Sequence, residues 1–308
     1  MLTSMKRHPP CILATCCVPW DDHFEFLEDV FRRSVRHQIH SGLRHLYLFG
    51  TAGEGHAVTE SQFDAITRVF LEITRNEGVQ GMVGLISLSL PTVIERIERA
   101  RAVGARQFQL SLPSWGVLND SELAAFFQET CGRFPDCEFL HYNLARAGRL
   151  ITGAEYGRLA EHHPNLVATK NSTSDHARLQ SLMQDAPQLQ HFITESGFPI
   201  AAMMGECGFL ISYTSTNYQR ATEFFEAGRT QDGAKLAAIS AEFPDLIATL
   251  KAAVGSAAHM DGAFDKMFCR LHHPDFPLRL LPPYACVSDE AFESYRERLR
   301  LAHPHWRP

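Results

Sequence analysis

Short runs rich in β-branched, aromatic and other apolar residues alternate with longer amphipathic runs, and that alternation limits the folds open to this chain more than any other feature. The short runs, at residues 11–18, 44–49, 79–87, 107–112, 138–142, 166–170, 191–194 and 208–213, read as strands. Between them, apolar residues three and four apart, as at 24–40, 60–75, 92–103 and 121–133, predict helices. Thr59, Asn119, Thr152 and Ser174 stand where helices start, with side chains able to accept from the first free backbone amides. Parallel strands need crossovers long enough to hold a helix. Eight β-then-α units therefore predict an α/β fold, a (β/α)8 TIM barrel over residues 1–228, with the strand ends gathered at one face. An open doubly wound sheet is the alternative, and no G-x-G-x-x-G follows the first strand to support it. Helical patterns at 220–228, 231–254 and 289–301 predict a C-terminal helical segment, residues 229–308, packed on the barrel.

Charge and cysteine usage narrow the function. The 308 residues carry a formal charge of −6 and their basic residues are scattered, so no nucleic-acid partner is expected. The apolar run at 11–18 stops at Pro19-Trp20-Asp21-Asp22, too soon to span a membrane, and reads as a first strand rather than the core of a signal peptide. Eight cysteines without a C-x-x-C pair predict reduced, buried thiols in a cytoplasmic protein rather than a disulfide framework. The 16 histidines, several in H-H-P or H-P-H, lack metal-site spacing and read as surface and helix-end residues, so no metal is expected. Small-molecule chemistry is left.

Three strand-end motifs carry candidate chemistry. G-T-A-G-E-G at 50–55 follows the second strand, and its glycines let backbone amides point inward toward a carboxylate, or else form a ligand-free turn. The missing G-K-[ST] excludes a Walker loop. F-L-H-Y-N at 139–143 puts Tyr142 at a strand end, where it either relays a proton or packs in the core. L-V-A-T-K-N-S at 166–172 ends a strand on Lys170, in a chain that uses 24 arginines and five lysines. A desolvated lysine is partly neutral, attacks ketones and forms a Schiff base, which a guanidinium cannot do. An ion pair with Glu195 or Glu138 is the structural alternative, and position alone leaves both open.

Taken in register, these motifs resemble those of the dihydrodipicolinate synthase and N-acetylneuraminate lyase family. C-V-P-W at 17–20 is similar to the family's V-T-P-F, K-N-S-T-S-D to K-x-x-x-G-D, and G-E-C-G-F-L-I-S to G-x-x-G-x-I-S. The resemblance implies a class I aldolase-type barrel in which Lys170 forms a Schiff base with pyruvate or another 2-keto acid. It makes Tyr142 the proton shuttle and Thr51 its hydrogen-bond partner, with the amides of Thr51 and Ala52, beside Gly53, holding the keto acid's carboxylate. It implies no metal and no organic cofactor, and a homo-oligomer, dimer or tetramer.

Departures from the family pattern fall on the part that reads a second substrate. Ala52 and Gly55 replace a threonine and a serine of G-T-T-G-E-S, and Pro113-Ser114-Trp115 replaces P-Y-Y. An indole N–H only donates, so Trp115 cannot relay a proton and is expected to line the pocket. Y-N-L-A-R-A-G is one residue shorter than Y-N-x-P-x-R-T-G, which leaves Arg146 either in the pocket or in a solvated loop. Glu195 and Ser212, with Thr173, Ser196 and Ser215, stand at strand ends where a substrate tail would be held. The expected function is a lyase that cleaves or condenses a 4-hydroxy-2-keto acid, rather than a dihydrodipicolinate synthase. The alternatives are a dehydratase of a sugar-derived keto acid using the same Schiff base, and a keto-acid-binding barrel that has lost catalysis.

Overall fold

Each of the eight β-rich runs forms a strand in the computed structural model, which describes residues 6–308. The strands are β1 (Ile12–Cys16), β2 (His45–Leu48), β3 (Gln80–Gly84), β4 (Gln107–Ser111), β5 (Glu138–Asn143), β6 (Leu166–Asn171), β7 (Gln190–Thr194) and β8 (Gly208–Leu210). All pair in parallel with their sequence neighbours, and β8 returns to β1 to close the barrel. Side chains alternate between two environments, as the pleat requires. Ile12, Ala14, Cys16, Leu46 and Leu48 meet the outer helices, while Leu13, Tyr47, Met82, Leu140, Ala168, Phe192 and Leu210 fill the interior.

The crossover helices are α1 (Glu28–His40), α2 (Glu60–Asn76), α3 (Leu90–Ala102), α4 (Asp120–Phe127), α5 (Gly153–His162), α6 (His176–Asp185), α7 (Phe198–Met204) and α8 (Tyr218–Arg229). Thr59, Asn119 and Thr152 each cap a helix and pair reciprocally with Gln62, Glu122 and Glu155 three residues on. Ser174 does not act as a cap. Asp175 does, accepting from the Arg178 amide at 2.8 Å. The first helix begins at Glu28 rather than 24, because Asp21 accepts from the amides of His23 and Glu25 and holds that stretch as a turn. The run at 121–133 is helical throughout but widens to a π turn over Gln128–Gly132. The last strand stops at Leu210, and Tyr213–Thr216 forms a 3₁₀ turn.

Beyond the barrel lie α9 (Gly233–Ser240), α10 (Phe243–Val254), α11 (Asp261–His272) and α12 (Asp289–Ala302). The single helix expected over 231–254 is two, with Pro244 in the first turn of the second, where its missing N–H costs no hydrogen bond. Helix α11 was not anticipated. It starts at Asp261 without a side-chain cap, and Asp265 and Lys266 interrupt its apolar pattern while being buried. Among the described residues no helix is long and apolar enough to cross a membrane.

Those buried charges fix α11 to the barrel. Lys266 donates to Glu54 of the glycine turn at 2.5 Å, with both side chains almost fully enclosed. The same carboxylate accepts from the Trp20 indole at 2.8 Å and from the Leu281 amide at 2.6 Å. Removing one partner of a buried pair strands the other's charge. Glu54→Gln is therefore expected to destabilise the protein by about 3–5 kcal/mol in urea unfolding, and Glu54→Gln with Lys266→Met to recover much of that loss. A double variant no more stable than the single one would show that the pair does not hold α11.

Candidate active site

Strand register brings Tyr142 and Lys170 side by side at the C-terminal ends of β5 and β6, where they are directly paired neighbours. Alternation turns both inward and the asparagine after each outward. Asn143 donates to the Ile151 carbonyl at 2.8 Å and to Asn171 at 3.1 Å, and Asn171 donates to Thr169 at 2.8 Å. Thr169 in turn meets His191 at 2.7 Å. In both Y-N and K-N the first residue turns inward, while Asn143 ties β5 to β6 and Asn171 holds Thr169, which meets His191 of β7.

Lys170 is 4% exposed. Its Nζ donates to the Tyr47 hydroxyl at 3.0 Å and lies 3.9 Å from the centre of the Tyr142 ring. The expected alternative, a pair with Glu195 or Glu138, is not formed. Glu195 instead binds the turn after β8, its carboxylate accepting from the Ser212 amide at 2.6 Å, the Thr214 amide at 3.2 Å and the Thr214 hydroxyl at 2.8 Å. Loss of water pulls the Lys170 amine down to about 7, with the negative charges of Asp261 and Asp265 opposing the shift. Burial pushes the Tyr142 phenol up to about 12 and that of Tyr47 well above its usual range. Both phenols are therefore neutral near pH 7, able to donate as well as accept.

The glycine turn forms the opposite wall. Gly50 leaves room for the Tyr47 ring, since a Cβ there would lie 2.4 Å from it. Phe49 and Glu54, on either side, hold left-handed backbone with φ of 59° and 57°, a conformation that needs support from surrounding packing. Phe49 stacks on Phe63, and Glu54 has its three donors. Among the described residues the amides of Thr51, Ala52 and Gly53 donate to nothing, although all three residues are buried. The Thr51 hydroxyl makes no hydrogen bond to Tyr142. Arg146 pairs with Asp261 of α11 at 3.2 Å, both side chains about half exposed, and Trp115 is 90% exposed.

Tyr47, Asp261 and Asp265 were missed in the sequence. Tyr47 sits in H-L-Y-L, an ordinary strand run, and the one available signal was its position three residues before the glycine turn. No group of three or more His, Cys, Asp or Glu side chains among the described residues is arranged to hold a metal ion.

A closed barrel whose strand C-termini surround a desolvated lysine, with free amides across from it, defines a TIM-barrel protein with its candidate site at the usual face. The chain belongs to the dihydrodipicolinate synthetase family, whose model matches residues 9–290. The 4-hydroxy-tetrahydrodipicolinate synthase of Thermus thermophilus is 30% identical over 161 residues, 52% of this chain and 53% of that protein. The enzyme of the same name from Exiguobacterium sp. is 23% identical over 177 residues, 58% of this chain and 60% of that protein. The chain thus spans about half to three-fifths of the length of the curated relatives it matches. Two solved structures share the fold at low identity. A prophage protein of the dihydrodipicolinic acid synthase family from E. coli K12, solved in complex with pyruvate, superposes with a TM-score of 0.83 at 17% identity, covering 94% of this chain and 97% of that one. Proteus mirabilis N-acetylneuraminate lyase superposes with a TM-score of 0.83 at 16% identity, covering 96% and 99%.

The amine's depressed value sets a pH dependence. Its neutral, nucleophilic form accumulates as pH rises through about 7, whereas a solvated lysine reaches that form only near 10.5. Reductive labelling of Lys170 by a keto acid, followed from about pH 5 to about pH 9, is expected to rise through pH 7 and then level off. A rate still climbing steeply at the upper end would mean that the amine is not desolvated.

Proposed function

We propose that the protein is a lyase that works on pyruvate or another 2-keto acid through a Schiff base on Lys170. The observation that carries this reading is the Lys170 amine itself, buried without a carboxylate partner, within 3.0 Å of one phenol and against the ring of another. In this reading Nζ adds to the keto carbon, the carbinolamine loses water, and the resulting iminium draws electrons from the adjacent carbon. For a 4-hydroxy-2-keto acid, removal of the hydroxyl proton breaks the C3–C4 bond, releases an aldehyde and leaves an enamine, which is protonated at C3 and hydrolysed to pyruvate. Tyr142 carries the proton, Tyr47 orients the amine, and the free amides of Thr51, Ala52 and Gly53 receive the keto acid's carboxylate. Dehydration of a sugar-derived keto acid shares every step up to the iminium. The chemistry uses the protein's own lysine as electron sink, with no organic cofactor in the scheme.

Incubation with pyruvate, borohydride reduction and intact-protein mass measurement is expected to show one pyruvate-derived adduct that Lys170→Ala abolishes. Folded wild-type protein that takes up no adduct removes this mechanism. Once turnover is established, Tyr142→Phe is expected to lower it by about 10²-fold or more. A loss of that size in Tyr47→Phe, with Tyr142→Phe unaffected, would reassign the proton carrier.

Self-association belongs to the same proposal. Trp115, Val117 and Leu88 are large apolar side chains exposed on loops after β4 and β3, and they are the support for an interface there. Sedimentation velocity is expected to show a dimer or tetramer that Trp115→Ala weakens, and a monomer at every concentration discards it.

A further inference from the structure

Helix α11 presents one face to the barrel mouth. Asp261 pairs with Arg146 of the loop after β5, and Gly262 lies so close to the glycine turn that a Cβ would sit 3.0 Å from the Ala52 carbonyl oxygen. One turn on, Lys266 pairs with Glu54, and Cys269 packs with Cys17, Ala52 and Phe276. Asp265 stands four residues after Asp261 and three after Gly262, so it falls between the contact with Arg146 and the contact with the turn. Its carboxyl lies near enough to act electrostatically at Lys170, Tyr47 and Tyr142 alike, the three groups gathered at the candidate site. Asp265 is 6% exposed, and among the described residues it has no hydrogen-bond or salt-bridge partner.

A carboxyl enclosed this far and without a protein donor is satisfied only by water or by a ligand that reaches it. The charges around it are already answered. Asp261 neutralises Arg146, Glu54 neutralises Lys266, and three donors satisfy Glu195. In the proposed reaction the iminium on Lys170 is balanced by the keto acid's own carboxylate. No cation is left for a second carboxylate at the far end of the substrate, whereas Asp265 in either protonation state can accept a hydrogen bond from a hydroxyl.

We propose that Asp265 is a specificity-determining residue, supplied by the C-terminal helical segment, that accepts a hydrogen bond from a hydroxyl on the distal carbons of the substrate, at an end of the site where, among the described residues, no unpaired cation stands to hold a second carboxylate. The substrate class is then a 2-keto acid with one carboxylate and a hydroxylated tail. This role rests on Lys170 being the imine-forming lysine, and the test separates the two.

Borohydride trapping on Lys170 is measured as a function of concentration for pyruvate, for 2-keto-3-deoxygluconate with its hydroxylated tail, and for 2-oxoglutarate with its second carboxylate. Wild-type protein is expected to be half-labelled by the hydroxylated acid at a concentration at least about tenfold below that needed for 2-oxoglutarate, the scale of one hydrogen bond. In Asp265→Leu, which has no acceptor, that ratio is expected to shrink by about tenfold, with pyruvate labelling of each variant as the internal reference. Wild-type protein that traps 2-oxoglutarate as readily as the hydroxylated acid overturns the inference without any variant. An unchanged ratio in Asp265→Leu overturns it as well. Protein that traps pyruvate but fails either comparison loses only the role of Asp265, whereas protein that traps no keto acid loses the Schiff-base reading and this role together.

Discussion

Glu54 is where the barrel and the C-terminal segment become one structure. Its carboxylate accepts from Lys266 on α11, from the Trp20 indole in the loop after β1 and from the Leu281 amide. An ion pair enclosed to this degree adds little net stability, because the desolvation of two charges offsets their attraction. Its effect is on geometry. It ties the glycine turn to α11 and supports Glu54 in left-handed backbone, in a turn where, among the described residues, the amides of Thr51, Ala52 and Gly53 donate to nothing. Trp20 in C-V-P-W thereby acquires a reason for its place: it braces the turn rather than touching the chemistry.

With α11 held there, the charge state of Lys170 is decided by a competition. Burial favours the neutral amine, while Asp261 and Asp265 favour the ammonium, and burial prevails. Asp261 is the larger of the two opposing influences at Lys170, although it also faces Arg146 in a half-exposed pair. Asp265 is enclosed and, among the described residues, unpaired, and burial pushes its own carboxyl well above the usual range. Around the lysine, burial thus shifts amine, phenols and carboxyl alike toward their neutral forms.

Much of this was legible in the sequence because it is local. The strands could be placed from period-two and apolar runs, the caps of α2, α4 and α5 from Thr59, Asn119 and Thr152, and Lys170 and Tyr142 from their strand-end positions. The family resemblance read from the same motifs holds over residues 9–290. Legibility failed where a long-range contact overrides a local pattern. Helix α11 was hidden because Asp265 and Lys266 look like solvated residues until the barrel mouth encloses them. Thr51 entered the site wall without the expected hydrogen bond to Tyr142, and Glu195 turned to the loop after β8 instead of Lys170.

By itself the sequence determined the order of the βα units, the closure they imply and the lysine that ends the sixth strand, since periodicity, capping and strand-end position act over a few residues. Only the tertiary structure decided what that lysine faces. Tyr47 reaches Lys170 across the barrel, and Asp261, Asp265 and Lys266 come from a helix more than two hundred residues after the turn that Lys266 grips. Those contacts exist because closing the barrel brings all eight strand ends to one rim, and the mutual approach of such distant segments leaves no trace in local spacing.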